Sequence, residues 1–142
     1  MKIREIKEEE ISSALGLVWK VFLKYEAPSY PNEGIEEFKS FLNSSEEISK
    51  LNIYACFKDE EIIGVIAIRE SHISLFFVDD KYHRTGIGRK LFDYIRSIVS
   101  HDITVNSSPY AVEVYHKLGF TDTDKEQMSN GIIYTPMIYK GI

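Results

Sequence analysis

A chain of 142 residues with 44% hydrophobic and 27% charged positions has the size and composition of one globular domain that buries a core without disulfide or metal staples. Its formal net charge of −5, from 17 basic and 22 acidic residues, argues against a nucleic-acid binder, which carries a basic excess. No apolar run approaches the roughly 20 residues that span a bilayer, and the start lacks a signal-peptide stretch, so a cytoplasmic chain with no membrane partner is expected.

Residues 2–6 are the first strand candidate. Glu8, Glu9 and Glu10 follow at a helix start, where negative charge complements the macrodipole. Ile11, Leu15, Val18 and Phe22 share one face of that helix, and Pro28 ends it near Glu26. Residues 27–32 hold two prolines and read as a loop. Ile35, Phe38 and Leu42 form the apolar face of a shorter helix, and the polar stretch 44–50 adds a helical turn. Three strands come next in quick succession: 52–57 and 62–69 around the polar turn 58–61, then 72–78. Cys56 lies in the first of these. A lone cysteine allows no internal disulfide, fits a reducing compartment, and reads here as a small buried hydrophobe.

Residues 79–85 form a polar loop that feeds Gly86-Ile87-Gly88 and a helix with Ile87, Leu91, Ile95 and Ile98 on one stripe. Residues 103–105 give a short strand. Ser108 caps a further helix with Pro109 in its first turn, Ala111, Tyr115 and Leu118 on one face and Gly119 as its stop. Residues 132–139 read as a final strand, placed near a sheet edge because Pro136 interrupts it. Hairpin strands beside a strand–helix–strand unit predict an α/β fold, a mixed sheet with helices on its faces.

The segment from Leu75 to Leu91 is the most informative. It passes from a buried strand through a polar turn into a helix whose start carries both glycines. The first N–H groups of a helix have no internal partners, and the dipole adds positive potential there. Glycines let a ligand approach the backbone closely. Arg84, Arg89 and Lys90 add positive charge in an acidic chain, so a pyrophosphate suits this loop. A dinucleotide fingerprint would need a third glycine, and a nucleotide P-loop would need Gly-Lys-Ser/Thr.

On these residues the sequence resembles the GNAT superfamily of N-acetyltransferases. The family signature, Gln/Arg-x-x-Gly-x-Gly/Ala, is matched by His83-Arg84-Thr85-Gly86-Ile87-Gly88, with His83 departing at the first position. The segment from Val105 through Asn106, Ser107, Ser108, Pro109 and Tyr110 to Ala111 resembles the stretch after the family's fifth strand. Tyr115-His116-Lys117-Leu118-Gly119-Phe120 resembles its Tyr-x-x-x-Gly-Phe element, and residues 130–137 resemble its closing strand.

The resemblance covers nearly the whole chain and is weakest over residues 25–50. It implies one N-acetyltransferase domain over residues 1–142, with a mostly antiparallel sheet of six or seven strands and about four helices. It also implies acetyl-CoA as cosubstrate, lying between the fourth and fifth strands. The backbones of Phe77 and Val78 would then bond the pantetheine arm, and a bulge near them would aim an N–H at the thioester carbonyl. Main-chain donors of residues 84–89, namely Arg84, Thr85, Gly86, Ile87, Gly88 and Arg89, would hold the pyrophosphate, with His83, Lys90, Asn106, Ser108 and Tyr110 as further coenzyme contacts.

Tyr115 is the family-matched donor of a proton to the departing thiolate. No motif fixes the base. Glu26, Glu33, Glu70 and Asp79 are candidates, and Glu26 is preferred because Tyr25, Tyr30 and two prolines surround it. The four histidines and Cys56 make no metal-ligand pattern, so no metal is assigned. The implied acceptor is a small-molecule or protein amine, and the family prior is a homodimer. The competing reading is a non-catalytic acyl-CoA-binding sensor, which would keep the glycine loop but need no acid or base.

Overall fold

The computed structural model describes residues 1–141. In chain order the elements are β1 (Lys2–Glu5), α1 (Ile11–Tyr25), α2 (Asn32–Asn43), α3 (Ser45–Ser49), β2 (Asn52–Lys58), β3 (Glu61–Arg69), β4 (His72–Val78), α4 (Ile87–Ile98), β5 (Ile103–Ser107), α5 (Val112–Leu118), β6 (Thr121–Asp122), β7 (Gln127–Ser129) and β8 (Ile132–Tyr139). The sheet runs β1-β2-β3-β4-β5-β8-β6, and β7 also pairs with β8. It is mixed and mostly antiparallel, as expected. The described residues form eight strands rather than six or seven, because β6 and β7 are two and three residues long. They are largely exposed, with Met128 as their one apolar residue, and backbone pairing to β8 holds them without any hydrophobic alternation.

Two apolar layers cover the sheet. On one face α1 and α2 bury Val18, Val21, Phe22 and Leu42 against Ile53, Val65, Ala67, Leu75 and Phe77. On the other, α4 and α5 bury Ile87, Leu91, Phe92, Ile95, Tyr115 and Leu118 against Ile66, Ile68, Ile73 and Val105. Cys56 is fully buried in this second layer. Ile98 was expected on the buried stripe of α4 but is exposed. The helix ends at that residue, beyond its contact with the sheet.

Local signals set several boundaries. The Ser108 hydroxyl accepts from the Ala111 N–H at 3.3 Å, a single tight turn covers Pro109–Ala111, and α5 stops at Gly119 with φ 107°. Strand β8, which carries Pro136, lies near the sheet edge as expected, one place in from it. It runs between β5 on one side and β6 and β7 on the other. In an antiparallel strand a residue's N–H and C=O point the same way. The Pro136 carbonyl accepts from Thr123 N–H at 2.8 Å, so the missing N–H faces the break between β6 and β7. No ladder bond is lost there.

The feature that positions the site is the one parallel pair among the described residues. Strands β4 and β5 are in register only at His72↔Thr104 and Ile73↔Val105. Beyond these residues the two strands part, and the sheet opens between the C-terminal ends of β4 and β5.

Candidate active site at the parted strands

The gap begins beside a bulge. Along β3 and β4 the register passes from Ala67↔Leu75 to Ile68↔Ile73, leaving Ser74 without a partner. The bulge falls at Ser74, upstream of its expected place near Phe77 and Val78. Asp79 N–H bonds the Ile63 carbonyl at 2.9 Å, which fixes the alternation along β4. The main chains of Leu75 and Phe77 bond β3, while those of Phe76 and Val78 turn away from it, toward the gap. Of the pair Phe77 and Val78, therefore, only Val78 offers main-chain groups there. The Phe77 side chain joins the α1–α2 layer instead.

At the open end lies the glycine loop. Asp79 caps a tight turn over Asp80–Tyr82 by accepting from Lys81 N–H at 3.0 Å. The chain then takes left-handed conformations at Arg84 (φ 62°) and Gly86 (φ 89°) and enters α4. The first bond of α4 runs from Lys90 N–H to the Gly86 carbonyl at 3.0 Å, so the N–H groups up to Arg89 have no partner inside the helix. The two glycines serve different ends. Gly86 is required by its positive φ. At Gly88 the φ is ordinary, and a Cβ would sit 3.7 Å from Phe76 and 4.0 Å from Val78, which are normal contacts. Nothing inside the protein demands a glycine at 88, but its bare Cα leaves a cradle beside β4 and the free helix N-terminus. A diphosphate fits that space.

The loop is braced from several sides. His83 Nε2–H donates to the Val78 carbonyl at 2.7 Å, so the residue that departs from the signature ties the loop to the end of β4. The Thr85 hydroxyl donates to the Tyr82 carbonyl. Lys24 pairs with Asp80, and Lys20 lies 3.7 Å from Asp79, both from α1. The Tyr25 ring packs 4.9 Å from His83 and 5.2 Å from exposed Tyr110. The Arg89 guanidinium donates to the Lys117 carbonyl at 3.0 Å, which ties α4 to the end of α5, and the side chains of Arg89 and Lys90 are exposed.

Behind the loop is a cleft of about 330 Å³ that passes through the sheet where the strands part. From the α1–α2 side it is lined by Phe22, Glu26, Tyr30 and Phe38. From the other side come Phe76, Asn106, Ser108 and Tyr115. Glu26 follows the last turn of α1, and burial pushes its carboxyl up to about 7, with the Ser108 hydroxyl offsetting a part of that shift. Tyr115 is buried, its ring 5.9 Å from Phe76 and 5.2 Å from Phe120. Burial and then the Glu26 charge push its phenol well above the usual range, so it keeps its proton. Of the other base candidates, Glu33, Glu70 and Asp79 do not line this cleft.

Sequence reasoning missed Phe76, Ser74, His72 and Glu37, which also line it. His72 Nδ1 lies 2.8 Å from Thr104 Oγ1, and burial lowers its pKa. No local signal marks the three on β4, because which of its groups face the gap follows from the unpaired Ser74, and Glu37 reads as one more exposed charge on α2.

A mixed sheet opened between two parallel strands, with a glycine-led helix start at the mouth of the opening, defines the acyl-CoA acyltransferase fold. The model of the acetyltransferase (GNAT) domain matches residues 26–140. The chain belongs to this family and is a GNAT-type N-acetyltransferase.

Solved structures carry the same fold. A GCN5-related N-acetyltransferase from Rhodopseudomonas palustris superposes with a TM-score of 0.84 at 18% identity, covering 98% of this chain and 94% of its own. PaiA N-acetyltransferase from Thermoplasma acidophilum, in complex with coenzyme A, gives 0.79 at 17% identity, with 98% of each chain covered. The apo form of YjaB from Escherichia coli gives 0.79 at 18% identity, covering 99% of this chain and 98% of its own. Among the described residues no helix is long and apolar enough to cross a membrane.

Proposed function

We propose that the chain moves the acetyl group of acetyl-CoA to a primary amine by direct attack, with both substrates bound together. The observation that carries this reading is the meeting of Glu26 and Tyr115 from opposite faces of the sheet in one cleft. A carboxyl that titrates near neutrality and a phenol that stays protonated are suited to accept one proton and to donate another.

The roles follow from position. The free N–H groups at the start of α4 hold the diphosphate, with Gly88 as the cradle floor. The main-chain groups of Phe76 and Val78 align the pantetheine arm as an added strand would. The Phe76 N–H, turned into the gap beside the bulge, donates to the thioester carbonyl and stabilises charge developing on that oxygen. Glu26 takes the proton from the incoming ammonium, since an amine attacks only when neutral. The C–N bond forms and the C–S bond breaks; Tyr115 gives its proton to the departing sulfur and regains one from the nitrogen, which carries two hydrogens after attack and keeps one in the amide. The products are the N-acetylated amine and coenzyme A.

Steady-state thiol release with acetyl-CoA and a panel of amines tests this. Amine-dependent release that falls in both Glu26→Gln and Tyr115→Phe is the expected result. Undiminished release in both variants overturns the assignment of these residues.

A further inference from the structure

The acceptor side of the cleft is chemically lopsided. Among the described residues its lining contains two carboxylates, Glu26 and Glu37, and no lysine or arginine. The histidine there is His72, whose pKa burial lowers. A row of aromatic rings accompanies the carboxylates. Tyr30 lies 5.7 Å from Phe22, Phe22 stacks on Phe38 at 4.2 Å, and Phe38 lies 6.5 Å from Phe41. Glu26 is half-buried just after α1, whereas Glu37 is exposed on α2, directly before Phe38.

Aromatic faces take methylene groups and attract ammonium ions. Carboxylates form charge-assisted hydrogen bonds with ammonium groups. A ligand with one charge would leave the second carboxylate of this cleft unused. We propose that the acceptor is a linear aliphatic diamine or longer polyamine. One terminal nitrogen reacts beside Glu26, a second nitrogen stays an ammonium and is held by Glu37, and the methylene spine lies along Phe38 and Phe41. This inference rests on the acetyl-transfer reading above and names the substrate class of the same cleft. Glu37 is a specificity residue here, since it holds the part of the substrate that does not react.

The test compares diaminobutane with butylamine, which share a spine and differ by one ammonium, in a thiol-release assay at saturating acetyl-CoA. The diamine is expected to have a kcat/KM at least about tenfold higher, and Glu37→Gln is expected to bring the ratio of the two close to one, mainly through the KM for the diamine. Calorimetry with coenzyme A on both proteins monitors the other substrate. Equal kcat/KM for the two amines in the unaltered protein overturns the two-charge acceptor while acetyl transfer stands. So does a preference that persists in Glu37→Gln. If coenzyme A binds but no amine in the panel releases thiol, the acetyl-transfer reading itself falls.

Discussion

Gly34 and Gly131 lie back to back. A Cβ on Gly34 would fall 2.0 Å from the Gly131 carbonyl oxygen, and one on Gly131 would fall 2.3 Å from the Gly34 nitrogen. The turn at Asn130 and Gly131, both left-handed with φ 52° and 79°, is thereby seated on the first turn of α2. Since α2 carries Glu37, Phe38 and Phe41, this contact sets where one wall of the cleft stands.

Gly34→Ala separates two opposed effects. An alanine inside a helix gains about 1 kcal/mol over glycine, but a methyl driven into neighbouring backbone costs about 1–3 kcal/mol or more. The clash is expected to win. Thermal unfolding should show net destabilisation, and the KM for the amine should rise while coenzyme A affinity holds, because α2 lines the cleft through Glu37, Phe38 and Phe41. A variant more stable than the parent would mean that the two backbones yield freely.

Gly86 and Gly88 should respond differently to alanine. At Gly86 the positive φ makes alanine cost about 1–2 kcal/mol of stability. At Gly88 alanine fits the protein and favours the helix, so the melting temperature should hold or rise, while coenzyme A binding by calorimetry should weaken by about tenfold or more. Undiminished affinity in Gly88→Ala would remove the cradle from the binding model.

The raised carboxyl of Glu26 gives a pH signature in catalysis. kcat/KM should climb as pH rises through about 7, where Glu26 loses its proton, and Glu26→Gln should lose that limb and about 10²-fold in rate. The amine's own ionisation affects both proteins alike, so the difference between the profiles isolates Glu26. Parallel profiles would assign the base elsewhere.

The same group has a consequence for folding. Its carboxyl stands at about 7 in the folded protein against an ordinary 4.5, so the folded state holds the proton more tightly. Its contribution is complete below the ordinary value and is lost as pH rises to about 7. Glu26→Gln stays neutral throughout. It should therefore exceed the parent in stability at about pH 8, by on the order of 2–3 kcal/mol, with the advantage fading near pH 4. Denaturant melts at the two pH values check this, and a pH-independent difference would contradict it.

Tyr115→Phe should lower kcat by roughly tenfold to a hundredfold, leaving the coenzyme A affinity nearly unchanged, because only the proton donor is removed. The ring contacts with Phe76 and Phe120 remain. An unchanged kcat across the pH range would exclude the phenol as the donor.

The fold was largely legible because its signals are local. Ser108, Pro109 and Gly119 bracket α5 through capping and backbone preference, which act over a few residues. The apolar stripes of α1 and α4 announced two helices over a sheet. Elements that depend on a partner were harder to read. The strands β6 and β7 exist because β8 offers them a backbone edge, and sequence does not show the break that Pro136 faces. Phe22 and Phe38 followed a helical period that a core face and a cleft wall satisfy equally.

What the sequence determined by itself is the sheet-and-helix plan, the glycine-led helix start and the identity of Tyr115 as the matched tyrosine, since capping, periodicity and motif spacing are written into neighbouring residues. Only the tertiary structure decided that β4 and β5 pair at two positions and then part. That separation directs Phe76 and Val78 to the gap and brings Glu26 and Tyr115 together from opposite faces. The physical reason is that strand pairing and burial are properties of distant segments in contact, and a carboxyl is raised toward neutrality only once the rest of the chain has closed around it.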